Sequence, residues 1–402
     1  MNVLFISSQF PNVCEPNKGI FSMQMVRELA EYANVQVVAP IPALGPLKVV
    51  DSFKRYRTDY DIPEREVREN IVVHHPKYFA MPKMGFLHHV FLYFSLLPLI
   101  KAIHESWHID AINCHWVFPD GVAVQKVCEK MGIPLLLTPL GTDLNRYSDF
   151  RLRRESIRNA LVKADMVSVL CSPMYDRCLS MGVSPRKLQI IPNGVDLQKF
   201  SLRDKAKCRT QLKISENVRV ILFVGSLVPV KGIDTLLKAF AIIREKHTKG
   251  TLKLYVVGSG FLEQDLKRLA DDVGIGADTV FVGAVEHSNL PIWMNSADCL
   301  CLPSLSEGHP NVVMEALACG LPVVASAVGS VPDYVTMQTG FTITPADHDD
   351  LAEKLDKCLR SEYEREQIRS SVKDLSWRDC AERYHNAISS MRVTYTSTSE
   401  SK

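Results

Sequence analysis

Neither sign of charge predominates in this 402-residue chain, where 47 Lys and Arg stand against 45 Asp and Glu for a formal net charge of +2. That balance gives no reason to expect nucleic acid as the main partner. A disulfide framework is also lacking. The 11 cysteines are odd in number, scattered, and mostly set in apolar runs such as "DCLCLPS" at Asp298 to Ser304. Thiols so placed pack as small hydrophobes in a reducing compartment. Cys299 and Cys301 would share one face of a strand, but no second pair stands at matching spacing, so no metal site is expected. The opening "MNVLFISSQFP" has no basic region, long apolar stretch or small-residue cleavage site, so a cytoplasmic protein is expected. A complete G-x-G-x-x-G followed by an acid is missing as well: "GSG" at Gly258 to Gly260 stands alone, which disfavours a dinucleotide oxidoreductase.

What the chain does have is a repeated series of short, continuous apolar runs with helical spacing between them. They begin at Val3, Val35, Ile71, Ala111, Leu135, Met166 and Gln189, and after a basic polar stretch start again at Val218, Leu252, Thr279, Cys299, Pro322 and Gly340. Continuous rather than alternating apolar strands read as parallel sheets buried on both faces. The length exceeds what one hydrophobic core ordinarily serves. The expected fold is therefore α/β, two doubly wound Rossmann-like domains facing each other across a cleft. The boundaries read as 1–194 and 195–374, with a helix at about 375–392 packing back on the first domain. Chemistry should lie in the loops beyond the carboxyl ends of the strands.

One such loop is "LPSLSEGHPNVVMEALACGLPVVAS", Leu302 to Ser326. A strand ends, a loop carries Glu307, and Pro310 suits the first position of a helix that stops at Gly320. The amides of His309, Asn311, Val312 and Val313 would then face the cleft at a helix start, where a phosphate is favoured. Glu315 could accept hydrogen bonds from a ribose diol, and Glu307 could meet the group beyond the phosphates. Taken singly, each acid is equally explained as a solvated carboxylate or as an acid favouring a helix N-terminus.

This stretch resembles the E-x7-E signature of family 4 of the retaining glycosyltransferases, which have the two-domain GT-B fold. The likeness continues in "NKGIFSMQMVRELA", "IPNGVD", "FVGSLVPVKGIDTLLKAF", "LYVVGSGFLEQDLKRLA" and "VFVGAVEHSNLPIWMNSADCLCLPS". It implies a nucleoside diphosphate sugar as donor substrate, with no cofactor and no metal. Glu307 and Gly308 would meet the donor sugar, His309 to Val313 the sugar and diphosphate through backbone, and Glu315 the ribose. Lys231 would meet the diphosphate from one domain and Gly19 from the other, while Val285 would hold the base. Two positions depart from the family pattern. Ser226 stands where an Arg usually joins the Lys, and Leu140 stands where a His is common; Asp143 and His115 nearby are the remaining candidates for catalysis. These departures keep a catalytically weak nucleotide-sugar-binding protein open as an alternative.

The segment "GFLHHVFLYFSLLPLIKAIH", Gly85 to His104, is the most apolar in the chain and is edged by Lys83, Lys101 and histidines. Periodicity alone does not separate a core helix from one resting in a membrane interface. The interfacial reading would give a lipid-linked rather than a soluble sugar acceptor, and a place at the inner face of a membrane.

Overall fold

The computed structural model describes residues 1–16, 18–43, 62–80, 84–248 and 250–399, with side chains as far as 391. Asn17 and Lys83, quoted above, lie outside the described residues. The chain divides into two compact units, Met1–Asn193 with Trp377–Lys402, and Gly194–Ser376.

The strands of the first unit are β1 (Asn2–Ile6), β2 (Asn34–Val38), β3 (Ile41–Ala43), β4 (Arg65–Arg68), β5 (Ile71–His74), β6 (Lys77–Phe79), β7 (Ala111–His115), β8 (Leu135–Thr138), β9 (Met166–Val169) and β10 (Leu188–Ile190). Its main sheet runs β10-β9-β8-β7-β1-β2-β5-β4, and β3 pairs separately with β6. All neighbours in the main sheet are parallel except β4 against β5. Helices cover both faces, as runs such as "VLFI" and "LLLT" demand when neither face of a strand can meet water. On one face lie α1 (Ile20–Leu29) and the C-terminal helix Trp377–Ser399, whose Trp377, Ala381, Tyr384 and Ile388 are buried beside Val3, Phe5, Val26 and Leu29. On the other lies α2 (His88–Trp107), which turns Leu92, Leu96, Ile100 and Ile103 inward.

The second unit holds β11 (Arg219–Val224), β12 (Leu252–Val257), β13 (Thr279–Gly283), β14 (Cys299–Leu302), β15 (Val323–Ser326) and β16 (Gly340–Ile343), in the order β13-β12-β11-β14-β15-β16 and parallel throughout. Cys299 and Cys301 are wholly buried in this sheet's core. In each unit the chain winds outward on one side and then returns to wind outward on the other, giving the doubly wound architecture expected. The reversal falls between β1 and β7 in the first unit and between β11 and β14 in the second. A crevice opens at such a reversal because the two flanking loops leave in opposite directions.

Candidate functional site

The loops after β11 and β14 flank the reversal in the second unit, and there Lys231 Nζ lies 2.6 Å from Glu307 Oε1. Each side chain is partly shielded, with 22% and 13% of its surface accessible, so the pair is firmer than a solvated one. The loops are also tied through backbone, Leu305 N–H donating to the Val230 carbonyl at 2.8 Å. Ser226 is exposed on the first of these loops. His309 Nδ1 meets Ser330 Oγ at 2.8 Å, and Ser330 N–H donates to the Gly308 carbonyl at 2.9 Å, which pins residues 308–309 to the loop after β15.

The helix Asn311–Ala318 then begins with Pro310 as its cap rather than as its first residue. This corrects one expectation: Val313 N–H donates to the Pro310 carbonyl at 3.0 Å, so its amide is consumed by the first turn. In the second turn Glu315 is nearly buried, 8% exposed, and its Oε1 stands 2.6 Å from His287 Nε2. His287 follows Val285 by two residues on the loop after β13, and Val285 packs against the core.

At the reversal in the first unit, Gly19 caps α1 in the left-handed region with φ 58°, and a β-carbon there would fall 2.1 Å from the Gln9 carbonyl oxygen. Only glycine allows that approach. Across the crevice Asp120, after β7, accepts the Ser8 amide on Oδ2 at 2.5 Å. Its other oxygen has no partner among the described residues, and burial pushes its carboxyl from 3.8 up to about 7. Sequence reasoning missed Asp120 because "PDG" reads as a turn. The only pointer to it was its place just after the strand that ends in His115.

His115 and Asp143, named above as candidates for catalysis, are both buried within the first unit. His115 is 2% exposed, with its ring between Phe5 at 4.8 Å and Tyr384 at 5.2 Å. Neither nitrogen has a partner among the described residues, and burial depresses its pKa to about 3, so the ring is neutral. Asp143 is fully buried and accepts Val117 N–H at 2.6 Å on one oxygen and Leu140 and Gly141 N–H at 2.9 Å on the other. It therefore fastens the loop after β8 to the loop after β7. Burial raises its pKa to about 6 against the opposing pull of those amides.

The lone "GSG" has a packing explanation: a β-carbon on Gly258, at φ 138°, would lie 1.9 Å from the Gly225 carbonyl oxygen. Among the described residues no three His, Cys, Asp or Glu side chains converge as a metal-ligand group.

Residues 22–199 match the family model "Glycosyltransferase Family 4" and residues 204–374 match "Glycosyl transferases group 1". A Bacillus subtilis (strain 168) protein assigned to teichuronic acid biosynthesis as the glycosyltransferase TuaC is 28% identical over 377 residues, 92% of this chain and 90% of that one. D-inositol 3-phosphate glycosyltransferase of Mycobacterium tuberculosis is 30% identical over 258 residues, 61% of this chain and 52% of that protein. Sucrose-phosphate synthase from Thermosynechococcus elongatus superposes with a TM-score of 0.75 at 22% identity, covering all of both chains. Alr3699/HepE of Anabaena, solved in complex with UDP-glucose, superposes with a TM-score of 0.65 at 20% identity, again over both whole chains.

Proposed function

Because this chain belongs to the family 4 glycosyltransferases and has their GT-B fold, we propose that it moves a sugar from a nucleoside diphosphate to an acceptor hydroxyl in bacterial polysaccharide or glycolipid biosynthesis. The reading adds retention of anomeric configuration and no need for a metal. The observation that carries it is the Lys231–Glu307 pair at the strand-order reversal. An ammonium there can neutralise charge as it develops on the departing diphosphate, which is where a preorganised cation acts most strongly. A carboxylate beside it can accept hydrogen bonds from the sugar hydroxyls, and Glu315, one and a half turns into the next helix, can do the same for the ribose. The backbone between them holds the phosphates.

The first test is hydrolysis of a panel of labelled sugar nucleotides without acceptor. A transferase releases some free sugar from its own donor; a protein that only binds nucleotide sugars releases none, and that outcome would overturn the reading. Activity should survive EDTA, and loss of activity restored by magnesium or manganese would overturn the metal-free part.

We propose further that the acceptor is lipid-linked and is met at a membrane surface through α2. By length and composition Gly85–Trp107 is apolar enough to cross a membrane, yet only 28% of its apolar stretch is buried. Phe94 is 67% exposed on it, and Phe150 and Leu152 are exposed at the start of helix Arg151–Lys163. Arg153 stacks over Phe118, Tyr147 and Phe150. Exposed aromatics beside arginines suit an interface with anionic lipid. Co-sedimentation with phosphatidylglycerol vesicles at low salt should occur and should weaken in Phe94→Ser; failure of the parent to sediment would leave a soluble acceptor.

A further inference from the structure

Behind Glu315 lies a chain of polar contacts that the transfer chemistry above does not use. His287 Nε2 is 2.6 Å from Glu315 Oε1, and His287 Nδ1 is 2.7 Å from Lys199 Nζ. The ring of Phe200, itself fully buried, lies 5.2 Å from the imidazole and walls one side of it. The turn that carries Lys199 is fastened to the helix that carries Glu315. Arg369 donates to the carbonyls of Leu197 and Phe200 at 2.7 Å and to that of Ala318, the last residue of the helix, at 2.5 Å.

The proton positions follow from the inventory of donors. An ammonium can only donate, so Nδ1 must accept from Lys199. A neutral imidazole that accepts on one nitrogen carries its proton on the other, so Nε2–H donates to Glu315 Oε1. Glu315 thus has one oxygen, Oε1, occupied by the imidazole.

We propose that His287, its tautomer set by Lys199, is a positioning residue that aims Glu315 Oε2 at the ribose diol of the nucleotide. This rests on the reading of Glu315 as the ribose acceptor given above. The side chain does not touch the nucleotide. It fixes the carboxylate's rotation so that one oxygen is spent on the protein and the other is left for the two ribose hydroxyls, at a reduced entropic cost when the nucleotide arrives.

The test uses the full chain, calorimetry, and whichever of UDP and GDP the parent binds, each compared with its 2′,3′-dideoxy form. The parent should prefer the ribonucleotide by about tenfold or more, the range for a hydrogen-bonded charged acceptor. His287→Phe should lose most of that preference, while its affinity for the dideoxy form and its melting temperature stay near the parent's. His287→Gln should keep it, because the amide can accept from Lys199 and donate to Glu315 at once. Lys199→Met should fall between the two. Equal loss for both nucleotides in His287→Phe, or an undiminished preference, would overturn the proposal. Glu315→Gln separates the two readings: if it leaves the preference intact, or if the parent binds no nucleoside diphosphate, the ribose reading itself fails. If Glu315→Gln abolishes the preference and His287→Phe does not, only the positioning role fails.

Discussion

At the scale of single residues the energetic stakes differ sharply between the two crevices. Lys231 lies in a loop and is only partly shielded, with 22% of its side chain accessible, so Lys231→Ala removes a charge without emptying a core position. Its kcat should fall about 10²–10³-fold, the cost of losing one preorganised partner of a transition-state charge, with the melting temperature near that of the parent. Retained kcat would place the leaving group elsewhere. Asp120 is the opposite case, a buried carboxyl raised from 3.8 to about 7. Folding then favours its protonated form. Its stabilising contribution is complete below pH 3.8 and is lost as pH rises through about 7. His115, depressed from 6.5 to about 3, acts with the other sign and costs stability as pH falls below 6.5. Asp120→Asn, which keeps an acceptor for the Ser8 amide, should therefore lose less thermal stability than the parent between pH 5 and pH 8. Parallel melting curves across that range would mean Asp120 is not held protonated. Gly19→Ala forces a β-carbon onto the Gln9 carbonyl at positive φ, and should destabilise the first unit by roughly 1–3 kcal/mol in denaturant unfolding.

Elements were legible in the sequence wherever burial on both faces made the strand continuously apolar. The apolar runs mark all six described strands of the second sheet and seven of the first, though β10 is an edge strand whose Gln189 and Ile190 are exposed. The eighth, β4, is "REVR", an antiparallel edge strand with Arg65 and Val67 exposed, and a strand that need bury only half its surface leaves no apolar run to find. The three-residue strands β3 and β6 are too short for any period. The site was legible to the extent that it is local. Glu307 to Glu315 is one loop and helix, whereas Lys199, His287 and Glu315 meet across 88 and 28 positions of sequence, and no spacing rule reaches that far. For α2, periodicity could not say which face is inward. The structure does: Leu96→Ser should destabilise the first unit by about 2–5 kcal/mol, as large losses of buried apolar volume do, whereas Phe94→Ser should leave stability unchanged and alter vesicle binding alone. Similar melting of the two variants would show that the helix is not packed through Leu96.

At the scale of the whole molecule, the first unit is discontinuous in sequence: its last helix arrives only after the second unit has been traversed. On leaving and on returning, the chain passes the same point, where Val195 and Ser376 form a parallel bridge and Val195 N–H donates to the Leu375 carbonyl at 2.6 Å. Trp377, Ala381, Tyr384 and Ile388 are core residues of the first unit, and Tyr384 OH shares a buried hydrogen-bond group with Ser168 and Thr138. A chain ending at Ser376 should therefore aggregate through an open apolar face of the first unit; a soluble truncation with the parent's melting profile would contradict this. The same feature sets an order in time. During synthesis the second unit has all its strands and helices before the residues from Trp377 onward are made, so it can fold while the first still lacks the helix that packs beside α1 on its sheet. The domain begun first is the one finished last, and the nascent protein must shield that face from the moment its early strands pair until its final helix emerges from the ribosome.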